Sequence, residues 1–149
     1  MERAAIAGSA PDNAGYRRVG AADPATPVEV AIVLRGSDPT EAEDLLAGRY
    51  DYSKRAPAGA DPSSLQAVES LARAHGLTIV DSSAAERRVT VRGTAAQMGE
   101  VFGTNLSWFE SAGGRKYLSY EGAITVPAEI APNVLAVLGL DQRPVAAPR

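Results

Sequence analysis

The segment VEVAIVLR, residues 28–35, constrains the fold more than any other stretch. Val28, Val30, Ile32 and Leu34 alternate with Glu29, Ala31, Val33 and Arg35. Strand side chains point to opposite faces in turn, so one face is wholly apolar and the other mixed. Such a strand belongs in a sheet with one face packed on a second layer, which other parts of the chain must supply.

Two helices can supply it. Asp61 precedes Pro62 at a first helical position, and Leu65, Val68, Leu71 and Ala72 form an apolar stripe that Gly76 ends. Thr94 and Gln97 form a capping box that opens a helix over 95–102. Ala95, Met98, Val101 and Phe102 line its inner face, and Gly103 stops it. Between these helices, LTIVDS (77–82) and RRVTVR (87–92) predict a hairpin that turns over Ser83 to Glu86. Upstream, Thr40 and Glu43 form another box, which predicts a short helix ended by Gly48 and followed by a loop over 49–60. Downstream, TNLSWFE (104–110) reads as a strand, Gly113-Gly114 as a turn and RKYLSY (115–120) as the returning arm. After the short apolar piece Ile124 to Val126, the spacing of Val134, Leu135, Val137 and Leu138 predicts a final helix, from near Pro132 to Gly139.

The order strand, helix, strand, strand, helix, strand is the split βαβ pattern. It predicts an α+β domain, a ferredoxin-like antiparallel α/β sandwich with two helices on one sheet face and the other face open. The core is expected over 28–141. Residues 1–27 show no period and are expected as a flexible arm, docked at most through Tyr16 or Val19. Residues 142–149, QRPVAAPR, are expected as an extended tail.

The chemistry-bearing residues are few. Fifteen Lys+Arg against 18 Asp+Glu in 149 residues leave a net charge of -3, which argues against a basic nucleic-acid face. With no cysteine there is no disulfide framework, thiolate nucleophile or thiolate metal site. The single histidine, His75, excludes a two-imidazole zinc site and reads as a helix-terminal residue. Serines occur without a G-x-S-x-G elbow, and Glu41 to Asp44 read as a solvated helix face. Ser111 to Gly114 lack the Lys-Ser/Thr of a phosphate loop. There is no apolar run long enough to span a membrane, and the first thirty residues hold no signal-peptide core. These features predict no catalytic centre, metal or cofactor in this chain. What remains is surface. Arg88 and Thr90 share a parity opposite to Val89 and Val91, and adjacent Trp108 and Phe109 should send one ring inward and one to the open face.

Four runs carry a family likeness: GADPSSLQAVESLARAHGLTIV (59–80), RRVTVRGTAAQMGEVFGTNL (87–106), YEGAITVP (120–127) and VLAVLGLDQRP (134–144). In this order and spacing they resemble the activation domain of kumamolisin-type peptidases, of the sedolisin family of serine-carboxyl peptidases. The likeness covers about 28–144, and 49–58 is shorter than the family's helix-rich passage. The resemblance implies a prodomain similar in fold to those of subtilisins. In that family the catalytic Ser, Glu and Asp and the calcium site lie in a separate, larger domain. It further implies an intramolecular chaperone and inhibitor that seats its open sheet face on the cognate catalytic domain. A linker then runs through the active-site cleft until acid-triggered autoprocessing. Partners would be that catalytic domain, not nucleic acid or membrane. The isolated chain would be a monomer, and the setting extracellular or periplasmic, within a secreted zymogen. The candidate docking residues are Ala31, Val33, Thr78, Val80, Arg88, Thr90 and either Trp108 or Phe109. The candidate cleft linker starts at Arg143, Pro144 and Val145 and runs to Arg149. Two other readings stay open: a stand-alone inhibitor of the same fold, and a small-ligand regulatory domain, for which Gly93-Thr94 is a weak turn.

Overall fold

The computed structural model describes residues 2–6, 8–35 and 59–142. Its centre is the alternating segment, strand β3 (Pro27–Leu34). Val28, Val30, Ile32 and Leu34 are 0–3% exposed, as the alternation requires. β3 pairs antiparallel on both sides, because a central strand must satisfy backbone donors and acceptors along both edges.

One neighbour comes from the expected hairpin. Strands β4 (Thr78–Ser83) and β5 (Arg88–Thr94) pair antiparallel, and β5 lies against β3 with Val30 opposite Val91 and Ile32 opposite Val89. The turn closes through Arg87 N–H donating to the Ala84 carbonyl, 3.1 Å, and Glu86 N–H donating to Ser83 Oγ, 3.1 Å. Both expected helices form. Helix α1 (Pro62–Ala74) is capped by Asp61, whose Oδ1 accepts from Ser63 N–H at 2.9 Å and from Ser63 Oγ at 2.7 Å. Helix α2 (Ala95–Phe102) carries the complete box. Thr94 Oγ1 accepts from Gln97 N–H, 3.2 Å, and Gln97 Oε1 accepts from Thr94 N–H, 2.8 Å. α1 packs on β4 and β5, and α2 on β5 and β3. Val68, Ala72, Met98, Val101 and Phe102 join the valines of the sheet in one core.

The other neighbour of β3 differs from expectation. It is strand β9 (Val134–Leu138), where the spacing predicted a helix. A short helix turn, Ala131–Asn133, absorbs Pro132, and only five residues remain before Gly139. That is too few for a helix to hold without strong packing, whereas the open edge of β3 offers a full ladder. Two β-branched valines favour the strand. Gly139 then sits at φ +114° so close to β3 that a Cβ there would collide with the Glu29 carbonyl oxygen. The four-stranded sheet therefore runs β4-β5-β3-β9. It is α+β, with antiparallel sheets and two helices, and is compatible with the expected sandwich.

The residues expected as its fourth strand go elsewhere. Strand β6 (Ser107–Ser111) forms the centre of a second sheet, between β2 (Tyr16–Ala21) and β7 (Lys116–Ser119). Strand β1 (Arg3–Ala5) pairs with β8 (Thr125–Pro127). Residues 1–27, expected as a flexible arm, thus contribute two strands. Ile6 is 3% exposed, its N–H donating to the Ile124 carbonyl at 2.8 Å. Arg3 reaches the C-terminal end of α2, donating to Thr125 Oγ1 at 3.0 Å and to the Val101 carbonyl. Low hydropathy hid these pairings, because edge strands held mainly by backbone bonds need little apolar pattern. The short helix expected near 40–48 and most of the loop after it lie outside the described residues.

Candidate docking surface

The strand register decides which side chains share the face opposite the helices. Glu29, Ala31 and Val33 of β3 stand opposite Arg92, Thr90 and Arg88 of β5. Thr78, Asp81 and Ser83 of β4 continue those rows on one side. On the other side, Leu138 continues the Ala31 row and Ala136 the Val33 row. Each edge strand also carries a bulge, where two residues oppose one. Val80 is the extra residue of β4 and Leu135 that of β9.

Of the expected docking residues, Ala31, Val33, Thr78, Arg88 and Thr90 therefore lie on one face. Val80 is the extra residue of a bulge at the sheet edge, 45% exposed, so the simple alternation that nominated it does not hold there. Trp108 and Phe109 do not join them. Both belong to β6, in the other sheet; Phe109 is buried and Trp108 packs half-buried against the core. The expectation of an aromatic on the open face is corrected for one reason: β9, not the 104–110 segment, takes the place beside β3. Sequence reasoning missed Leu135, Ala136 and Leu138 because they were assigned to a helix. The signal was available in the valine content and in the Pro132–Gly139 bracket around so short a run. Arg143, Pro144, Val145 and Arg149 lie outside the described residues.

Both arginines of the face are paired. Arg92 meets Glu29 at 3.1 Å across the β3–β5 ladder, and Arg88 meets Glu86 at 2.9 Å. All four side chains are largely exposed, so each pair is worth about 0–1 kcal/mol. Away from the face, the Ser63 hydroxyl and N–H hold the Asp61 carboxyl below the ordinary carboxylate range. His75 ends α1, and its carbonyl accepts from Gln97 Nε2 at 3.4 Å, tying the two helices together.

Among the described residues no group of three or more His, Cys, Asp or Glu could hold a metal ion, and no helix is long and apolar enough to cross a membrane. A cleft of about 580 Å³ opens beside the start of α2, lined by Pro24, Ala95, Ala96, Gly99 and Leu106, with Arg18 and Glu100 at its margin. Around the four-stranded sheet, both described helices pack on one face and none lies over the other.

The family model described as Pro-kumamolisin, activation domain, matches residues 14–143. The chain is also similar to Kumamolisin from Bacillus sp. (strain MN-32), 39% identical over 90 residues. That match spans 60% of this chain and 16% of the relative, so the chain corresponds to a small part of that protein's length.

Proposed function

Because this chain belongs to the Pro-kumamolisin activation-domain family, we propose that it is the prodomain of a serine-carboxyl peptidase, and that it templates the folding of the catalytic domain and then inhibits it. The chain contributes no catalytic group; calcium, if bound, belongs to the catalytic domain. The fold is the ferredoxin-like split βαβ sandwich, and the observation that carries the reading is its free face. Antiparallel order β4-β5-β3-β9 with both helices on one side leaves Ala31, Val33, Thr90, Ala136 and Leu138 uncovered by any described helix. An open sheet face of this kind is a natural seat for a second domain. The segment that starts at Arg143, Pro144 and Val145 and runs to Arg149 is then the beginning of the linker to the active-site cleft. The setting is extracellular or periplasmic, as part of a secreted zymogen, and the isolated chain is a monomer.

Release in acid follows from carboxylates. A carboxylate paired across the interface has a lowered pKa in the bound state. Its contribution is complete above the free value, near ~4, and is lost as pH falls through the bound one. Docking therefore weakens in acid through Asp and Glu. The test is inhibition of the cognate mature peptidase by this chain, followed from neutral to acid pH, with His75→Ala in parallel. We expect inhibition at mild pH that fades in acid for both proteins. Absence of inhibition at any pH sinks the prodomain reading. Loss of the acid dependence in His75→Ala sinks the carboxylate mechanism.

A further inference from the structure

The open face is not chemically uniform. Ala31, Val33, Thr90 and Ala136, all half-buried, floor its middle with small side chains. Larger apolar groups stand at its edges. Among the described residues the exposed large hydrophobics are Val19, Val80, Leu135 and Leu138, and three of these four belong to the two edge strands of this sheet. Two are on β9 alone, with Leu138 the most exposed at 57%. Arg88 and Arg92 lie on β5, one row to either side of Thr90, and bracket the floor. Their present partners, Glu86 and Glu29, are exposed, so either arginine can exchange its partner at small cost. Glu29, Glu86 and Asp81 stand in or beside the same rows, so the face is not basic as a whole, and what the two arginines offer a partner is donors at fixed positions on β5.

We infer that the catalytic-domain surface seated here is apolar opposite Leu135 and Leu138 and carries carboxylates opposite Arg88 and Arg92, with Leu138 as the anchor. This rests on the prodomain reading above. Interfaces take most of their energy from a few apolar or aromatic anchors that become dry on binding, and a leucine already more than half exposed on a hydrogen-bonded strand can be one at little ordering cost. Charges at the border of such a patch act mainly on encounter and orientation.

The test is inhibition of the cognate catalytic domain by the full 149-residue chain at low and high salt. Thermal unfolding of every variant and sedimentation of the free chain accompany it. Leu138→Asp is expected to weaken inhibition by about 30-fold or more with an unchanged unfolding midpoint. The double change Arg88→Glu and Arg92→Glu is expected to weaken it by about 10-fold at low salt, mostly in the association rate, and far less at high salt. Val19→Asp, a comparably exposed apolar site on the other sheet, is expected to change nothing. If Leu138→Asp inhibits like the parent, or Val19→Asp loses as much, the anchor assignment is wrong while the prodomain reading stands. If the free chain dimerises and Leu138→Asp abolishes the dimer, the occupant is a second copy and the inference is overturned. If the parent chain itself fails to inhibit, the prodomain reading falls and this inference with it.

Discussion

Ile32 and Val33 are neighbours on β3 with similar side chains and opposite surroundings. Ile32 is 3% exposed, opposite Val89 and Val137, on the face that the helices cover. Val33 is half-buried, opposite Arg88 and Ala136, with no described helix over it. The two faces of one sheet thus do different work. The covered face holds the domain together, since each fully buried Val, Leu or Ile contributes about 1.5–3 kcal/mol. The open face contributes little to the isolated chain and leaves its apolar surface exposed. The difference arises because a strand's period is two: a segment with apolar residues on both parities presents a usable surface on both sides once one side is covered.

Substitutions can break or sharpen this contrast. The largest expected effect is from Ile32→Ala, at about 2–5 kcal/mol of lost stability, because the helices above cannot collapse fully into the void. Val33→Ala should lose well under ~1 kcal/mol in parallel urea titrations. Comparable losses at the two positions would show that the open face is covered in the free chain and would end the distinction. Next in size is Gly139→Ala. At φ +114° beside the Glu29 carbonyl, an alanine must shift β9 away from β3, for a loss of about 1–3 kcal/mol. Inhibition should fall with it, since Leu138 is the preceding residue. A Gly139→Ala variant as stable as the parent would mean that β9 is not held at this register. The smallest effect concerns pH. The Asp61 carboxyl is held below its usual range by Ser63, so its cap stabilises α1 fully above the ordinary carboxylate pKa. That contribution declines as pH falls through the lowered value. Asp61→Asn keeps an acceptor without a titrating proton and should flatten the acid limb of the unfolding midpoint slightly. An unchanged acid limb would assign the acid sensitivity to other carboxylates.

Much of the covered face was legible in the amino-acid order. Capping signals at Asp61-Pro62 and at Thr94 with Gln97, stops at Gly76 and Gly103, and the apolar parity of β3 and β5 are local properties. Hydrogen bonds within three or four residues and a period of two or 3.6 leave a readable trace in any context. So do the positions of Ala31, Val33, Arg88 and Thr90 on a common face, because their parity follows from the same alternation. The family match, over residues 14–143, includes these stretches.

Which strands lie side by side was decided only in three dimensions. VLAVL, between Pro132 and Gly139, satisfies a helical spacing and a strand equally well, and it became β9 because β3 had an unpaired edge to satisfy. That one placement put β6 in a separate sheet with β2 and β7, took Trp108 and Phe109 away from the open face and put Ala136 and Leu138 there instead. The bulges at Val80 and Leu135, and the pairing of Arg3–Ala5 with Thr125–Pro127, are likewise properties of a distant partner strand or of its register. No local pattern encodes them, because a backbone ladder is indifferent to which side chains it carries.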